Sequence, residues 1–261
     1  MRSKVTSRLL RDSKGQIGIG TLIIFIAMVM IAAVAASVLI QTSGVLQQQA
    51  QSTGKQATQE VSSNLVIKSI EGVRAKNNAT SMASNISMIK LKVGLNVGSS
   101  PVDLDQLVIS ITDSTNTNDL IYANNEKTYG VAMANFSGSA IASVNLAKLL
   151  TDTQSSPGAN GEYFFTVQKV RDEDISFSQS SPVMNTGDLV TIYISTVSDG
   201  DTSYTTIGDV STSGSQKDTS LDIGPRTPVS LVFTPEAGAS TIAEFVTPSS
   251  YGTKENIALY P

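Results

Sequence analysis

The chain has 261 residues, no Cys, no His and a formal net charge of −4. The two absences exclude disulfide staples, thiolate chemistry and every nucleophile pair that relies on His, the commonest general base and metal ligand. Residues 1–15 hold five basic side chains (Arg2, Lys4, Arg8, Arg11, Lys14) against Asp12 alone, so the remainder carries −8, a sign that argues against nucleic-acid binding. A Ser-Lys or carboxylate pair is conceivable, but no spacing marks one, so an enzyme is not expected.

From Gln16 to Gly54 there is no charged residue, and within Thr21–Ile40 only Thr21 and Ser37 are polar. Twenty helical residues rise about 30 Å, the thickness of one bilayer core. Basic residues precede this run and none comes after it until Lys55, so the positive-inside bias keeps residues 1–15 cytoplasmic and sends the chain beyond the run outward. An ordinary secretory signal would be cut near Ala33-Val34-Ala35-Ala36-Ser37, yet the apolar run continues past that point through Val38, Leu39 and Ile40. Ala32, Ala33, Ala35, Ala36 and Ser37 give small-xxx-small pairs, which let helix backbones approach closely. After Ile40 the helix pattern thins to a stripe of Val38, Val45, Ala57 and Val61 between Gln and Thr, interrupted by Gly44 and Gly54. The expected boundaries are a leader over 1–15, a helix over 16–61 and an outer domain over 62–261.

Beyond Val61 the period changes to two. Ile89, Leu91, Val93, Leu95 and Val97 alternate with Lys90, Lys92, Gly94 and Asn96, the pattern of a half-buried strand. Leu65–Ile70, Leu107–Thr112, Tyr163–Val170, Leu189–Val197 and Val229–Thr234 also read as strands, and Ala140–Leu150 as a short helix. Turn signals stand between them at Gly98-Ser99-Ser100-Pro101, Asn160-Gly161, Asn185-Thr186-Gly187-Asp188 and Asp199-Gly200. The fold class is therefore α+β: a long N-terminal hydrophobic α-helix followed by an antiparallel Ig-like β-sandwich. Two polar stretches, 112–126 and 198–222, read as solvated loops. Asp172, Glu173 and Asp174, and the pair Asp199 and Asp201, offer oxygen ligands, but neither cluster has EF-hand spacing. Asn78, Asn85 and Asn135 begin Asn-x-Ser/Thr sequons, about the number chance gives in a chain this rich in Ser and Thr. Only the outward topology gives those sequons force.

The order of a short basic leader, Lys14-Gly15, then QIGIGTLIIFIAMVMIAAVAASVLIQTSG resembles the N-terminus of an archaeal flagellin (archaellin), which carries a type IV pilin-like signal. The tail FTPEAGASTIAEFVTPSSYGTKENIALYP resembles the archaellin C-terminus. The resemblance implies cleavage by a preflagellin peptidase between Gly15 and Gln16, with Gly18 as the glycine at the third mature position. Gly20 stands where bacterial pilins usually have Glu. It further implies that the helix is retained, sits in the membrane before assembly, then polymerises with its own kind into the extracellular archaellum filament for swimming. A membrane motor would drive assembly and rotation, and the subunit itself would need no cofactor. An adhesive pilus subunit and a single-pass anchored β-domain protein are the alternatives that these residues leave open.

Overall fold

The computed structural model describes residues 3–62 and 65–260, with side chains for 17–58 and 65–260. The chain divides into two compact units, 1–57 and 58–261. The first is helix α1, Ser3–Ser62, which takes in the basic leader as well as the apolar run. It passes through Gly44 and Gly54, although each glycine costs about 1 kcal/mol against Ala in a helix interior. Good helix formers between the two, Leu46-Gln47-Gln48-Gln49-Ala50-Gln51, offset that cost.

The second unit is built on one nine-stranded sheet. Its strands in chain order are β1 Leu65–Val73, β2 Met88–Leu95, β3 Val108–Thr112, β4 Thr117–Tyr122 and β5 Phe164–Arg171. They continue with β6 Leu189–Ser195, β7 Pro228–Thr234, β8 Thr241–Val246 and β9 Asn256–Tyr260. Across the sheet they run β8-β7-β3-β4-β5-β6-β2-β1-β9. Every pair is antiparallel except β4 with β5, where Ile121 faces Phe164 and Tyr122 faces Phe165. Parallel neighbours need a long crossover, and residues 123–163 supply it, with helix α2, Ala142–Thr151, and the short turn of helix α3, Asn160–Tyr163.

The sheet rolls around its core. Ile89, Leu91 and Val93 of β2, Ile109 and Ile111 of β3, and Leu231 and Phe233 of β7 share one buried cluster with Ile257 of β9 and Ala243 of β8. The edge strand β8 reaches β1, the strand next to the other edge, where Thr241 donates its hydroxyl to the Leu65 carbonyl at 2.8 Å. On the other face α2 lays Leu146, Leu149 and Leu150 against Phe164, Ile121 and Met88. Strands covered on both faces carry consecutive apolar residues, which is why β5 begins Phe164-Phe165 with the two rings in opposite clusters. Asn160, fully buried, ties this layer down. Its amide donates to the Ala134 and Lys148 carbonyls at 3.2 and 2.9 Å and accepts from the Ala134 N–H. Gly161 is needed beside it, because a Cβ there would lie 2.6 Å from the Ser195 Cβ on β6.

The long apolar helix followed by a mostly antiparallel β domain is as the sequence led one to expect, although one rolled nine-stranded sheet with a parallel pair stands where an Ig-like sandwich was anticipated, and each anticipated strand is present within a few residues. Val97 is the exception on β2: the strand ends at Leu95 and Val97 is 97% exposed in the turn before Gly98. The expected solvated loop 112–126 contains β4 at the middle of the sheet, with Leu120 and Tyr122 fully buried. Its Asn118 lies on the same side of the strand and is satisfied, donating to the Thr219 carbonyl at 2.7 Å. The stretch 198–222 is poor in regular structure but packed, burying Ile207, Thr212, Gln216, Thr219 and Leu221. Internal bonds replace water for its polar groups, such as the Thr219 hydroxyl on the Val197 carbonyl at 3.0 Å. Asn160-Gly161, expected as a turn, is the start of α3.

The tail that carries the C-terminal resemblance folds as β8 and β9. Buried Arg74 clamps the loop between them, donating to the Gly252 and Lys254 carbonyls at 3.0 Å each while its guanidinium sits 5.8 Å from the centre of the Tyr251 ring. Asp113 plays a comparable part at the β3–β4 turn. Its carboxylate accepts from the N–H groups of Thr115, Asn116 and, across the unit, Asp222. Burial raises the carboxyl pKa more than any other single cause, but these backbone donors together outweigh it and hold the pKa below the ordinary value.

Leu91→Ala, at the centre of the rolled core, lowers the urea-unfolding free energy of the sheet unit by about 2–5 kcal/mol, read by near-ultraviolet circular dichroism. A carboxyl depressed in the folded state stabilises the fold above its unfolded pKa near 4, and that stability is lost as pH falls through the folded value. Asp113→Asn therefore costs about 1–3 kcal/mol at neutral pH and flattens the acid limb of the stability curve. An unchanged acid limb means that Asp113 does not set it.

Candidate assembly surface

A helix that is apolar on one stripe packs against its own domain, whereas one that is apolar all round must be enclosed by something else. Helix α1 is of the second kind. Ile17, Ile19, Leu22, Ile23, Ile24, Phe25 and Ile26 leave no polar face, and each is at least half exposed in the single chain. The same holds through Met28, Ile31, Val34, Leu39 and Ile40 to Leu46. Among the described residues it is the one helix long and apolar enough to cross a membrane, over Ile17–Thr58.

Two of the threonines in the helix bond back within it. Thr21 turns its hydroxyl back to the Gly18 carbonyl at 3.0 Å, and Thr42 to those of Val38 and Leu39 at 2.9 and 3.1 Å. Such back-bonding lets Thr enter an apolar environment without an unsatisfied hydroxyl. Ala32 and Ala36, and Ala33 and Ser37, are four apart and so share a face, with Ala35 beside them, all exposed. Among the described residues a Cβ on Gly18 would touch nothing within 4 Å, so no contact among them requires that glycine. The side chains of Lys14, Gly15 and Gln16 lie outside the described residues.

On the sheet unit, acidic residues gather at the β5–β6 end. Carboxylate oxygens of Asp172, Asp174 and Asp188 lie within 4.8 Å of one another. Asp188 escaped the sequence reading because only the β5–β6 pairing, Leu189 opposite Arg171, brings it beside the other two. Each already has a structural task. Asp172 and Asp174 both accept from the Ser176 N–H at 3.1 Å, and Asp188 accepts from the Glu173 and Asn185 N–H groups at 3.2 and 2.7 Å. The Asp174 carboxyl is held below its ordinary pKa, chiefly by the Ser176 hydroxyl. Three carboxylates are hard oxygen donors of the kind a divalent cation takes, but short of the six to eight oxygens Ca²⁺ prefers. Glu173 stays outside the cluster, and Asp199 and Asp201 belong to a short helical turn elsewhere.

The sequons lie in unlike settings. Asn78 ends the strand Ala75–Asn78 and is exposed; its Oδ1 accepts from the Thr80 N–H at 2.9 Å, the Thr80 hydroxyl at 2.8 Å and the Ser81 N–H at 2.9 Å. Asn85 is half-buried, and its amide nitrogen donates to the Ser198 hydroxyl at 3.2 Å and to the Asp222 carboxylate. Asn135 is exposed at φ +58°, and its amide nitrogen donates to the Asp152 carboxylate at 2.6 Å.

A compact sheet unit attached to a bare apolar helix defines a subunit made to be enclosed by lipid or by other chains. Comparison with known proteins says which. The model of the archaeal-type flagellin family matches residues 15–245. Flagellin B2 of Methanocaldococcus jannaschii is 35% identical over 251 residues, covering 96% of this chain and 97% of that one. Flagellin B1 of Methanococcus voltae is 37% identical over 245 residues, covering 94% and 95%. The chain in the structure of the archaeal flagellum of Methanospirillum hungatei shares the fold, with a TM-score of 0.52, 14% identity and coverage of 94% and 99%. The chain belongs to the archaeal-type flagellin family, and its task is that of a structural subunit of the archaeal flagellum filament.

If the small-residue face meets other helices in that filament, a charge there has neither room nor a partner. Ala33→Lys costs about 3 kcal/mol at mid-helix even in a bilayer. Filaments are then absent from electron micrographs of the mutant while its sheet unit keeps a native circular dichroism spectrum. Normal filaments from Ala33→Lys mean that this face points elsewhere.

Proposed function

We propose that the chain is made as a membrane-inserted precursor, cut between Gly15 and Gln16 by a preflagellin peptidase, and then moved into the filament. The observation that carries this reading is the all-round apolar surface of α1 from Ile17 to Leu46. Lipid covers it before assembly, and the helices of neighbouring copies cover it afterwards. The sheet unit, on the outward side of the helix by the positive-inside bias, becomes the outer layer of the filament outside the cell. Energy for assembly and rotation comes from a membrane motor, and the subunit performs no catalysis and uses no cofactor. In a filament every subunit meets its neighbours through unlike surfaces that do not close into a ring. The uncharged helix can repeat that contact indefinitely, whereas the sheet unit, with the net negative charge of the chain concentrated on it, repels its copies at low salt.

The cleavage is tested by N-terminal sequencing of assembled protein, with allowance for cyclisation of the new Gln16. The expected first residue is Gln16; a start near Ala36 or Ser37 indicates an ordinary signal peptide and removes the helix from the filament. The division of labour is tested by deleting residues 1–61. Analytical ultracentrifugation then gives a soluble monomer and electron microscopy no filaments. Filaments from the truncated chain would transfer the polymer contacts to the sheet unit.

A further inference from the structure

The apolar run of α1 ends at Ile40, but the charge-free stretch does not. Residues 41–54 add fourteen helical residues. They rise about 21 Å beyond the length that one bilayer core covers. In a membrane precursor that stretch stands in water, where Glu and Lys four apart would strengthen a helix. No charge is there. Instead five of the thirteen Gln of the chain fall in these fourteen residues, so the segment is polar and charge-free at once. We infer that residues 41–54 are a polar contact band, enclosed in the filament by the same band of neighbouring copies and setting the axial register of one helix against the next. The inference rests on the reading that neighbouring helices cover α1 after assembly.

At the pitch of an α-helix Gln41, Val45, Gln48, Gln49 and Ser52 fall within an arc of about 100°, which makes one stripe along α1. All five are exposed in the single chain. The amides of Gln41, Gln47, Gln48, Gln49 and Gln51 have no hydrogen-bond partner among the described residues. Thr42 differs, because its hydroxyl is already bonded to the Val38 and Leu39 carbonyls of its own helix. An amide enclosed without a partner is unfavourable, so whatever encloses this stripe must bring donors and acceptors of its own.

A second copy of the chain fits that requirement. Between identical helices a band of Lys or of Glu would meet its own kind as like charges. The Gln side chain carries two donors and an acceptor, so two copies of one band complement each other. Gln is also a good helix former, which suits a segment that must stay helical through Gly44 and Gly54. Register follows from a difference between the two parts of the helix. Apolar contact in Thr21–Ile40 is non-directional and tolerates a small slide of one helix along another. Amide bonds are directional, and the stripe repeats about once per turn, so a slide short of about 5.4 Å leaves amides unpaired. A polar position inside a coiled-coil seam specifies register in the same way. A solvated stalk would have no reason to exclude charge until Lys55.

Thiol accessibility in purified filaments tests the enclosure, since the chain has no Cys. Ser52→Cys changes one atom on the stripe, and Ser37→Cys does the same in the apolar run. A water-soluble maleimide is expected to label both variants in subunits dissociated by denaturant and neither in intact filaments. Val45→Cys, on the same stripe as Ser52, gives an independent reading. Labelling of Ser52→Cys or Val45→Cys in intact filaments, with Ser37→Cys protected, makes 41–54 a solvated stalk; it overturns the band and leaves helix packing standing. Labelling of Ser37→Cys in intact filaments overturns helix packing, and the band with it. The register is tested by combining Gln41→Leu, Gln48→Leu and Gln49→Leu, which removes the amides and keeps the helix propensity. Electron microscopy is expected to show mixed axial rises, or no ordered filament, where the unmodified chain gives one rise. A single unchanged rise in the triple variant overturns the register role.

Discussion

Everything in this molecule depends on a helix that is apolar all round and that water cannot solvate. An apolar stretch of this length would bury itself in an ordinary globular protein, but here the sheet closes its core without it. The helix is therefore left with a surface that only lipid or other helices can satisfy. Its polar groups are compatible with either partner, since Thr21 and Thr42 fold their hydroxyls onto carbonyls of their own helix. On the proposed route that enclosure is first lipid and then neighbouring subunits.

The helix was legible in the sequence because its properties are local: length, absence of charge, small residues four apart. Strand β2 was legible for a similar reason, since only one of its faces is fully buried and Ile89, Leu91, Val93 and Leu95 alternate cleanly. Strand β4 was not. Its buried residues, Asn118, Leu120 and Tyr122, also alternate, but the first is polar and is satisfied by Thr219, a residue about a hundred positions away. The polarity of 198–222 misled in the same way, because a Ser/Thr-rich segment whose hydroxyls find carbonyls packs as well as an apolar one. The differences among the sequons were equally hidden. Nothing near Asn85 or Asn135 in sequence announces that Asp222 and Asp152 hold their amides.

The acidity of the sheet unit has a structural side too. Asp113, Asp152 and Asp188 are each used as local fasteners, accepting two or more bonds that shape a turn or a helix end. A carboxylate is well suited to this because its two oxygens can collect several donors at once. The chain thereby acquires ordered loops from residues that also contribute to its net negative charge.

The chain leaves α1 at Ser62 and enters β1 at Leu65, and β1 is an interior strand. It is paired with β2 from Leu65 to Val73 and with β9 from Ile70 to Val73. The hydrogen bonds of these ladders run across the strand. A pull along β1 itself is thus received at right angles to those bonds, which resist in shear and share the load together. A strand at the sheet's edge, or one peeled from its end, would yield them singly. Load that enters the sheet unit along this strand is in this way borne by many weak bonds at once.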